Sequence, residues 1–519
     1  MNRYEPVVQK VMGHVDLLSP GIGILVVAPG QHALVARVLE SKLPGAVSTP
    51  LEQGLLREGP ARWIVTGLSG DRAAVEAALS ELNGRRNWIS SSGRLLVLLL
   101  TRRELVEVQR LAGDVYSARL FAESVPFMPD PEVDAEAARA ELAQWQRNRF
   151  GRLDLRGFVR SESEDVSWRV EDVYQELRAS YSLEALFGQG APGIMQEGAV
   201  TELLSKAFRA QPERMQPVVL LGHPGSGKTF FLRWLAMSAV EQERLLGLER
   251  PLPLLTSLSA YAQGSGGAGL REHFVESLLE NEQPAAHLVE RAIQERRVLF
   301  LLDGLDEVGD ASSRRRMASA IEALIREAPG CPVIVTSRIA GYDAVHLSSL
   351  NFFLSPFTDS AIERFLIRWS ELYALNRLGE TPQAQAEGHQ EGEQLARDVL
   401  EHSEVRELAR SPLLLTVLAM VHRAGVRLPD HRVELYEHVT RILVERWNRV
   451  RSLSRQDVSP PLKAADAVRL LGPVALETMR LGTRGAIPED SLRGMLQRAL
   501  ANGNLRGLVS AEAALELFR

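Results

Sequence analysis

The chain has 519 residues, which at about 100–200 residues per domain predicts three or four domains. Hydrophobic residues make up 45% of it and charged residues 24%, values that exclude a wholly disordered protein. The net charge of −6 gives no reason to expect nucleic acid as the main partner, and the single cysteine, Cys331, excludes an internal disulfide framework. No signal peptide and no apolar run of the roughly 20 residues that span a bilayer is visible, so we expect a cytoplasmic protein without a transmembrane segment.

The first 130 residues alternate short apolar segments with segments of helical periodicity. The apolar segments are 23–30, 61–68 and 94–101. Strands that alternate with helices predict an α/β domain with a parallel sheet covered by helices.

The turn at Ala28, Pro29 and Gly30 follows the first of these strands, where a nucleotide-binding loop could lie. No Lys-Ser/Thr pair follows the turn, so a structural turn is the better interpretation. The polar residues His14, His32 and Asp71 are scattered through this region and are expected at the surface. The role of the region, as an effector or an adaptor, stays open.

A proline-containing break at 126–132 is followed by a predicted polar helix at 133–149 and a predicted linker at 186–193. Stronger strand patterns then begin, at 217–222, 251–258, 298–303 and 332–338. After Pro356, helical periodicity dominates. The segment 379–394 has almost no large apolar residues, which predicts a flexible surface loop.

The most specific motif is the segment GHPGSGKT, which matches the eight-residue phosphate-loop pattern between a predicted strand and a predicted helix. Glycines let the backbone N–H groups of such a loop face a phosphate chain, and the helix N-terminus adds a partial positive charge. Lys228 is the candidate for the β- and γ-phosphates of a nucleotide, and the Thr229 hydroxyl is a candidate Mg²⁺ ligand. The candidate nucleotide-binding residues are Gly222, His223, Pro224, Gly225, Ser226, Gly227, Lys228 and Thr229.

Two later strands end in charged residues that fit the same site. The strand at 298–303 ends in Asp303, a candidate Mg²⁺ ligand, and Asp306 and Glu307 follow as candidates to orient or deprotonate the attacking water. The strand at 332–338 ends in Arg338, a cation that could sense or stabilise the γ-phosphate. The carboxyl ends of parallel strands meet at one edge of a sheet, so we expect these side chains to lie together.

Together these residues resemble the NACHT domain of bacterial STAND-class, NLR-like P-loop NTPases. Asp303 to Glu307 read Asp-Gly-Leu-Asp-Glu, as NACHT domains typically do, and the TSR strand end and SPF at 355–357 are also similar. The resemblance extends over about 150–519. Within it, Pro412 stands at the position of the family's adenine-contacting proline, and 428–447 resembles the start of a winged-helix subdomain.

The resemblance implies an α/β fold class with a small N-terminal α/β domain, a P-loop NTPase parallel sheet, and helical and winged-helix-like subdomains. The expected regions are an effector or adaptor domain at 1–130, a helical lead-in at 131–200, a NACHT ATPase core at 201–355, a helical subdomain at 356–425 and an incomplete winged-helix-like subdomain at 426–519.

The function implied is that of a slow ATPase used as a signalling switch. ADP holds a closed monomer, and exchange for ATP after a trigger opens the protein into a homo-oligomer that activates an effector. In bacterial relatives this commonly serves antiphage defence, with a phage-derived trigger. Two alternatives stay open: a constitutive AAA+-type remodelling ATPase and a STAND-type transcription regulator.

Two departures from the family pattern matter. Gly304 stands directly after Asp303, where P-loop ATPases with a catalytic glutamate place that residue, so Asp306 and Glu307 both remain candidates for orienting water. The chain also ends without the histidine-bearing segment and the sensor array of longer relatives. We therefore expect a truncated or sensor-less core whose closed, ADP-bound state is less stable than in such a relative.

Overall fold

The computed structural model describes residues 21–43, 45–51, 62–68, 72–92, 94–119, 121–125, 127, 129, 132–154, 167–182, 195–210, 216–264, 269–309, 311–342, 347–423, 433–434, 437, 463–480 and 489–502. The chain divides into two compact units. The first comprises residues 1–144, 256–298 and 319–331, and the second comprises 145–255, 299–318 and 332–519. The domain boundaries expected from the sequence stay predictions.

The N-terminal part of the first unit is a five-stranded parallel sheet with helices. Its elements are β1 (Gly21–Val26), α1 (His32–Lys42), β2 (Ala46–Leu51), β3 (Arg62–Leu68), α2 (Arg72–Ser91), β4 (Leu95–Leu100), α3 (Arg102–Leu111), α4 (Gly113–Ser117) and β5 (Phe121–Ser124). The strand order is β2-β3-β4-β1-β5, and every neighbouring pair is parallel. The predicted α/β fold of this region is confirmed, and its three predicted strands correspond to β1, β3 and β4.

Both faces of this sheet are buried because successive side chains of a strand point to opposite faces. Ile22 and Ile24 of β1 belong to one apolar cluster, and Leu25 and Val27 belong to the other. Strands buried on both faces read as continuous apolar runs, which explains why β1, β3 and β4 were visible in the sequence. The edge strand β2 is mostly half-buried and contains Ser48, Thr49 and Pro50, so it gave no such run.

The next elements precede the second large sheet. They are α5 (Ala135–Phe150), β6 (Arg152–Asp154), β7 (Ser167–Arg169), α6 (Val170–Val173), β8 (Arg178–Ser182), β9 (Met195–Ala199) and α7 (Val200–Ala210). Helix α5 confirms the helix predicted at 133–149. The linker predicted at 186–193 lies outside the described residues.

The second sheet contains the four stronger predicted strands. The elements that follow α7 are β10 (Val218–Leu221), α8 (Lys228–Glu241), β11 (Arg244–Leu245), β12 (Leu248–Glu249), β13 (Leu252–Ser257), α9 (Leu258–Gly264), α10 (Leu270–Glu280), α11 (Val289–Gln294), β14 (Val298–Asp303), α12 (Ala311–Glu327), β15 (Val333–Ser337), α13 (Ile339–Tyr342) and β16 (Leu350–Leu354), with 3₁₀ turns at Pro284–Leu288 and Leu305–Glu307.

The order of this sheet is β13-β14-β15-β10-β16-β8-β9. Strand β10 lies between β15 and β16 and is parallel to both, and the hairpin of β8 and β9 continues the sheet in antiparallel fashion from β16. The carboxyl ends of β10, β14 and β15 therefore meet at one edge. Strand β16 was not predicted, because the exposed Phe353 and the half-buried Asn351 interrupt its apolar pattern.

Helices dominate after β16, as predicted. They are α14 (Asp359–Leu378), α15 (Pro382–Glu401), α16 (Ser403–Ala409), α17 (Pro412–Arg423), α18 (Ala464–Arg480) and α19 (Glu489–Asn502). The expected winged-helix-like subdomain at 426–519, including the segment 428–447, lies largely outside the described residues. None of the described helices combines the length and apolar character that a bilayer crossing requires.

The flexible loop predicted at 379–394 is wrong, because most of this segment belongs to α15. Thr381 caps the helix by accepting a hydrogen bond from the N–H of Ala384, and Pro382 occupies the first turn. Within this segment the helix packs on α14 through Gly388 and Gly392, and its large buried apolar residues, Leu395 and Val399, come only after the segment. A Cβ atom on Gly392 would lie 2.5 Å from Ile367 Cα, so the absence of large residues reflects a close helix contact and not a lack of structure.

We expect Gly392→Ala to destabilise the protein by about 1–3 kcal/mol, because the added methyl group forces α14 and α15 apart. Gly84→Ala is the matched control: Gly84 lies inside α2, and a Cβ there meets nothing within 4 Å. That control should be neutral or stabilising by about 0.5–1 kcal/mol. Urea unfolding of the two variants and the parent checks the difference, and equal stability of both variants would contradict the close contact.

Candidate nucleotide site

The phosphate loop, residues 222–229, joins β10 to α8 at the carboxyl edge of the second sheet. Gly225 and Gly227 have φ angles of +75° and +88°, a left-handed conformation that costs other residues free energy. Gly227 is the residue that caps α8, and Lys228 is the first residue of that helix. Two glycines of the predicted motif therefore adopt the left-handed backbone conformation that glycine favours.

The Lys228 ammonium lies over this loop. Its Nζ donates to the carbonyl oxygens of Gly222 at 2.9 Å and His223 at 3.0 Å, and to Ser226 Oγ at 3.2 Å. Burial lowers the pKa of Lys228, although nearby carboxylates, Asp306 first, act in the opposite direction. A phosphate group that took the place of these neutral acceptors would form stronger, charge-assisted hydrogen bonds with the same ammonium.

Asp303 ends β14 and is held in place by the neighbouring strand. Thr336 Oγ1 donates to Asp303 Oδ1 at 2.6 Å and accepts a hydrogen bond from the N–H of Gly304 at 2.9 Å. The Thr336 residue is 1% exposed, so its hydroxyl can satisfy both groups without competition from water. Sequence reasoning gave Thr336 no role, although a hydroxyl at the end of an otherwise apolar strand was a visible signal.

Asp306 and Arg338 form a pair. Asp306 Oδ1 accepts from the backbone N–H of Arg338 at 2.9 Å, and Oδ2 lies 3.1 Å from Arg338 Nε. The Asp306 side chain is only 10% exposed, and both of its oxygens are engaged. This carboxylate therefore fixes the position of the arginine at the end of β15.

Glu307 differs from its neighbour. Within the described part of the chain, its carboxylate makes no side-chain hydrogen bond or ion pair. Loss of water around the carboxylate raises the pKa of Glu307, and the negative charges of Asp303 and Asp306 raise it further. A carboxylate with a raised pKa and free oxygens is chemically suited to accept a proton.

These groups form the charged part of the lining of a cavity of about 490 Å³. The apolar part of the lining is formed by Tyr174, Leu177, Phe357, Phe365 and Pro412. Tyr174 is held by a parallel stack on Trp234, with ring centroids 4.1 Å apart and planes at 12°. A flat, apolar part beside a charged part suits an aromatic base joined to phosphates.

The helical region contacts the phosphate loop directly at this cavity. The N–H of Leu413, in the first turn of α17, donates to the Gly225 carbonyl at 3.2 Å. The adjacent Pro412 lines the cavity. One cavity is therefore bounded both by the sheet and by a helix that follows it.

The structure brings nearly all the sequence-predicted residues to this cavity. Those that line it are Pro224, Gly225, Ser226, Gly227, Lys228, Thr229, Asp303, Asp306, Glu307, Arg338 and Pro412. Gly222 and His223 instead supply carbonyl oxygens to Lys228. Sequence reasoning missed Tyr174, Leu177 and Phe365, which come from distant segments and carry no motif.

Comparison with protein families agrees with this geometry: residues 216–373 match the family model of the NACHT domain. This stretch of the chain is similar to NACHT domains. The predicted resemblance is confirmed over these residues, which include the phosphate loop and both charged strand ends, and the domain is a nucleotide-binding P-loop NTPase module. No curated protein matches the chain.

Several solved structures are remotely similar to the chain that carries this NACHT domain. The Walker-type ATPase of Pyrococcus abyssi is 14% identical with a TM-score of 0.28, and the match covers 61% of this chain and 95% of that one. The RuvB Holliday junction branch migration motor of Thermotoga maritima is 14% identical with a TM-score of 0.25, covering 58% and 85%. Drosophila ORC bound to DNA is 14% identical with a TM-score of 0.25, covering 76% and 96%.

We expect Thr336→Val to destabilise the protein by about 1–3 kcal/mol. Valine has nearly the shape of threonine but no hydroxyl, so Asp303 Oδ1 and the Gly304 N–H lose their buried hydrogen-bond partner. Urea unfolding measures this loss. Ser205→Ala is the control, since that hydroxyl donates to a carbonyl within α7, away from the cavity. Equal unfolding curves for the Thr336 and Ser205 variants would contradict the role of Thr336.

Proposed function

We propose that the chain is a nucleotide-controlled signalling switch in which ATP and ADP bind the cavity of the NACHT domain and set the arrangement of the helices that follow it. The observation that supports the proposal is that both the phosphate loop and helix α17 border the cavity. Leu413 donates to the Gly225 carbonyl and Pro412 belongs to the apolar part of the lining, so a bound nucleotide would touch the phosphate loop and α17 together. A ligand shifts a conformational equilibrium only if it contacts the two arrangements differently, and this position permits that.

The residues of the charged part of the lining fit a nucleotide with Mg²⁺. Lys228 and the N–H groups of the phosphate loop would hold the phosphates, and Arg338 would meet the γ-phosphate. The Thr229 hydroxyl and the Asp303 carboxylate are hard oxygen donors of the type that Mg²⁺ prefers, and Thr336 already orients Asp303. When bound, Mg²⁺ would neutralise charge on the phosphate oxygens. Pro412 and the stacked Tyr174 would contact the base.

We assign the orientation of the attacking water to Glu307 and a positioning role to Asp306. Both oxygens of Asp306 are engaged by Arg338, whereas the Glu307 carboxylate lacks such partners among the described residues. The raised pKa of Glu307 also suits a group that accepts a proton from water. Asp306 would act through Arg338, by holding it at the strand end where the γ-phosphate arrives.

The cellular part of the proposal rests on the NACHT match alone. We propose that exchange of ADP for ATP follows an external trigger, that the ATP form is a homo-oligomer which activates an effector, and that the role is antiphage defence. Bacteria that carry the chain should then survive phage challenge, and bacteria that carry Lys228→Ala should not.

We expect Lys228→Ala to weaken the binding of both ATP and ADP by about 100-fold or more, because the phosphates lose a charge-assisted partner. Calorimetric titration measures both affinities. Lys206→Ala is a suitable control, because Lys206 pairs with Glu202 on the surface of α7. Affinity retained in the Lys228 variant would remove the phosphate loop from the proposal.

We expect Glu307→Gln to leave ATP binding intact and to slow single-turnover hydrolysis by about 100-fold or more. The rate of the parent protein should fall as pH decreases through the raised pKa of Glu307, since only the carboxylate form accepts a proton. Asp306→Asn should instead reduce the preference for ATP over ADP, because Arg338 is no longer held where the γ-phosphate arrives. If Asp306→Asn gives the larger loss of rate at saturating ATP and Glu307→Gln gives none, the two assignments exchange.

A switch should hydrolyse ATP more slowly than about 1 s⁻¹, retain nucleotide through purification, and change its mass with ATP. Steady-state turnover and light scattering in ADP and in ATP test all three properties. Sustained turnover at about 1 s⁻¹ or faster, with no change in mass, would instead indicate a constitutive remodelling ATPase.

A further inference from the structure

The N-terminal sheet has the same strand order as five of the seven strands of the NACHT sheet. The five N-terminal strands, numbered 1 to 5 along the chain, lie side by side in the order 2-3-4-1-5. If β10, β13, β14, β15 and β16 are numbered in the same way, they lie in the same order. The neighbours of the first strand are parallel to it in both sheets. In both, a helix follows the first strand directly, α1 in one and α8 in the other. The N-terminal sheet therefore shares its strand order with five strands of the NACHT sheet, and the neighbours of the first strand have the same direction in both.

The carboxyl edges of the two sheets also share some residue types. A glycine with positive φ lies near the end of the third strand in both, Gly67 within β3 at +90° and Gly304 just after β14 at +79°. An arginine follows the fourth strand in both sheets, Arg102 after β4 and Arg338 after β15. The first residue of the helix is His32 in α1, where α8 has Lys228. The segment 27–31 before α1 contains no lysine and does not match the phosphate-loop pattern.

A carboxylate of the chain itself lies at this edge of the N-terminal sheet. Glu104 Oε1 accepts from the Leu68 N–H at 2.7 Å, and Oε2 accepts from the Thr101 N–H at 2.7 Å and from Thr101 Oγ1 at 2.8 Å. His32 Nε2 lies 3.3 Å from the same Oε2. The start of α1, the end of β3 and the end of β4 thus converge on one anion.

The corresponding three elements of the NACHT domain converge on the charged part of the lining of its cavity, where Lys228, Gly304 and Thr336 lie. Thr101 and Glu104 also form a capping box for α3, which accounts for the contacts with Thr101. A capping box does not account for the contacts with Leu68 after β3 or with His32 on α1. Those two contacts place the Glu104 carboxylate between the end of β3 and the first residue of α1, the elements that correspond to β14 and α8.

We propose that the N-terminal domain is a second fold of the P-loop type whose anion site is filled from within by the Glu104 carboxylate, so that this domain binds no nucleotide and the chain binds one nucleotide per polypeptide. Burial raises the pKa of Glu104, but the hydrogen bonds from His32, Leu68 and Thr101 outweigh burial and hold it below the ordinary value. The group is therefore ionised at neutral pH, as a substitute for phosphate must be.

Chemical rescue of Glu104→Ala in the full chain tests the internal anion. Removing the carboxylate leaves the Leu68 and Thr101 N–H groups without an acceptor, so amide exchange in peptides covering 62–68 and 95–105 should accelerate by about tenfold to a hundredfold. Formate or inorganic phosphate at tens of millimolar should restore protection, and chloride at equal ionic strength should not. His32→Gln in the Glu104→Ala background should weaken the rescue.

Glu107→Ala is the matched control, one helical turn away on α3, where Glu107 pairs with Arg110 at the surface. It should change exchange little and show no response to formate. If Glu104→Ala fails to fold, Glu104→Gln keeps the shape of the side chain but only one acceptor oxygen, so exchange should accelerate at one of the two N–H groups, without rescue. Rescue by chloride as effective as by formate or phosphate would overturn the internal anion.

Titration with ATP tests the stoichiometry. The full chain should bind one equivalent, and Lys228→Ala should show no equivalent bound with the affinity of the parent, because no second site remains. One equivalent of ATP bound by Lys228→Ala and lost in Lys228→Ala with His32→Gln would overturn the proposal. The rescue experiment reads amides of the N-terminal domain only, so its failure is distinguishable from failure of the switch.

Discussion

Five charged side chains meet at the carboxyl edge of the second sheet, and every other feature of the site depends on how they are compensated. Lys228, Arg338, Asp303, Asp306 and Glu307 all line a cavity that is only partly open to water. Charges removed from water are costly unless they are paired or hydrogen-bonded. Four of the groups, all partly buried, have close partners, whereas Glu307, which is exposed, lacks one among the described residues. The reactive character proposed for Glu307 is a direct result of that difference.

The parts of the fold that could be predicted from the sequence are those that correspond to a continuous apolar segment or to a local motif. Strands buried on both faces, such as β10 and β14, are unbroken apolar segments, and the phosphate loop is a local pattern of glycines before a lysine. The edge strand β2 and strand β16 could not be predicted, because exposed or polar residues interrupt them. Helix α15 was missed for a different reason: Gly388 and Gly392 make its contact with α14, and a contact through glycine leaves no apolar signal.

The site divides in the same way. Its candidate residues sit at the ends of predicted strands, and parallel topology alone brings such ends together. The role of Thr336 could not be predicted, because its hydroxyl reaches Asp303 and Gly304 only when β14 and β15 lie side by side. Tyr174 and Leu177 join the apolar part of the lining from a segment before the phosphate loop, and no local pattern links them to it. Glu104 is similar, since its bonds to Leu68 and His32 join residues far apart in the chain.

The hydrogen bond from Leu413 to the Gly225 carbonyl has a consequence for the end of α17. The first N–H groups of any helix lack partners within the helix and need an outside acceptor. Ser411, just before α17, also donates its hydroxyl to the Gly225 carbonyl at 3.4 Å, so one loop carbonyl accepts both this hydroxyl and the Leu413 N–H of the helix end. Moving α17 away would expose an uncapped helix end and a bare loop carbonyl together, and solvent would have to hydrate both. The end of α17 and the phosphate loop can separate at low cost only if water enters between them. Any motion of this helix away from the loop therefore requires water to enter the cavity.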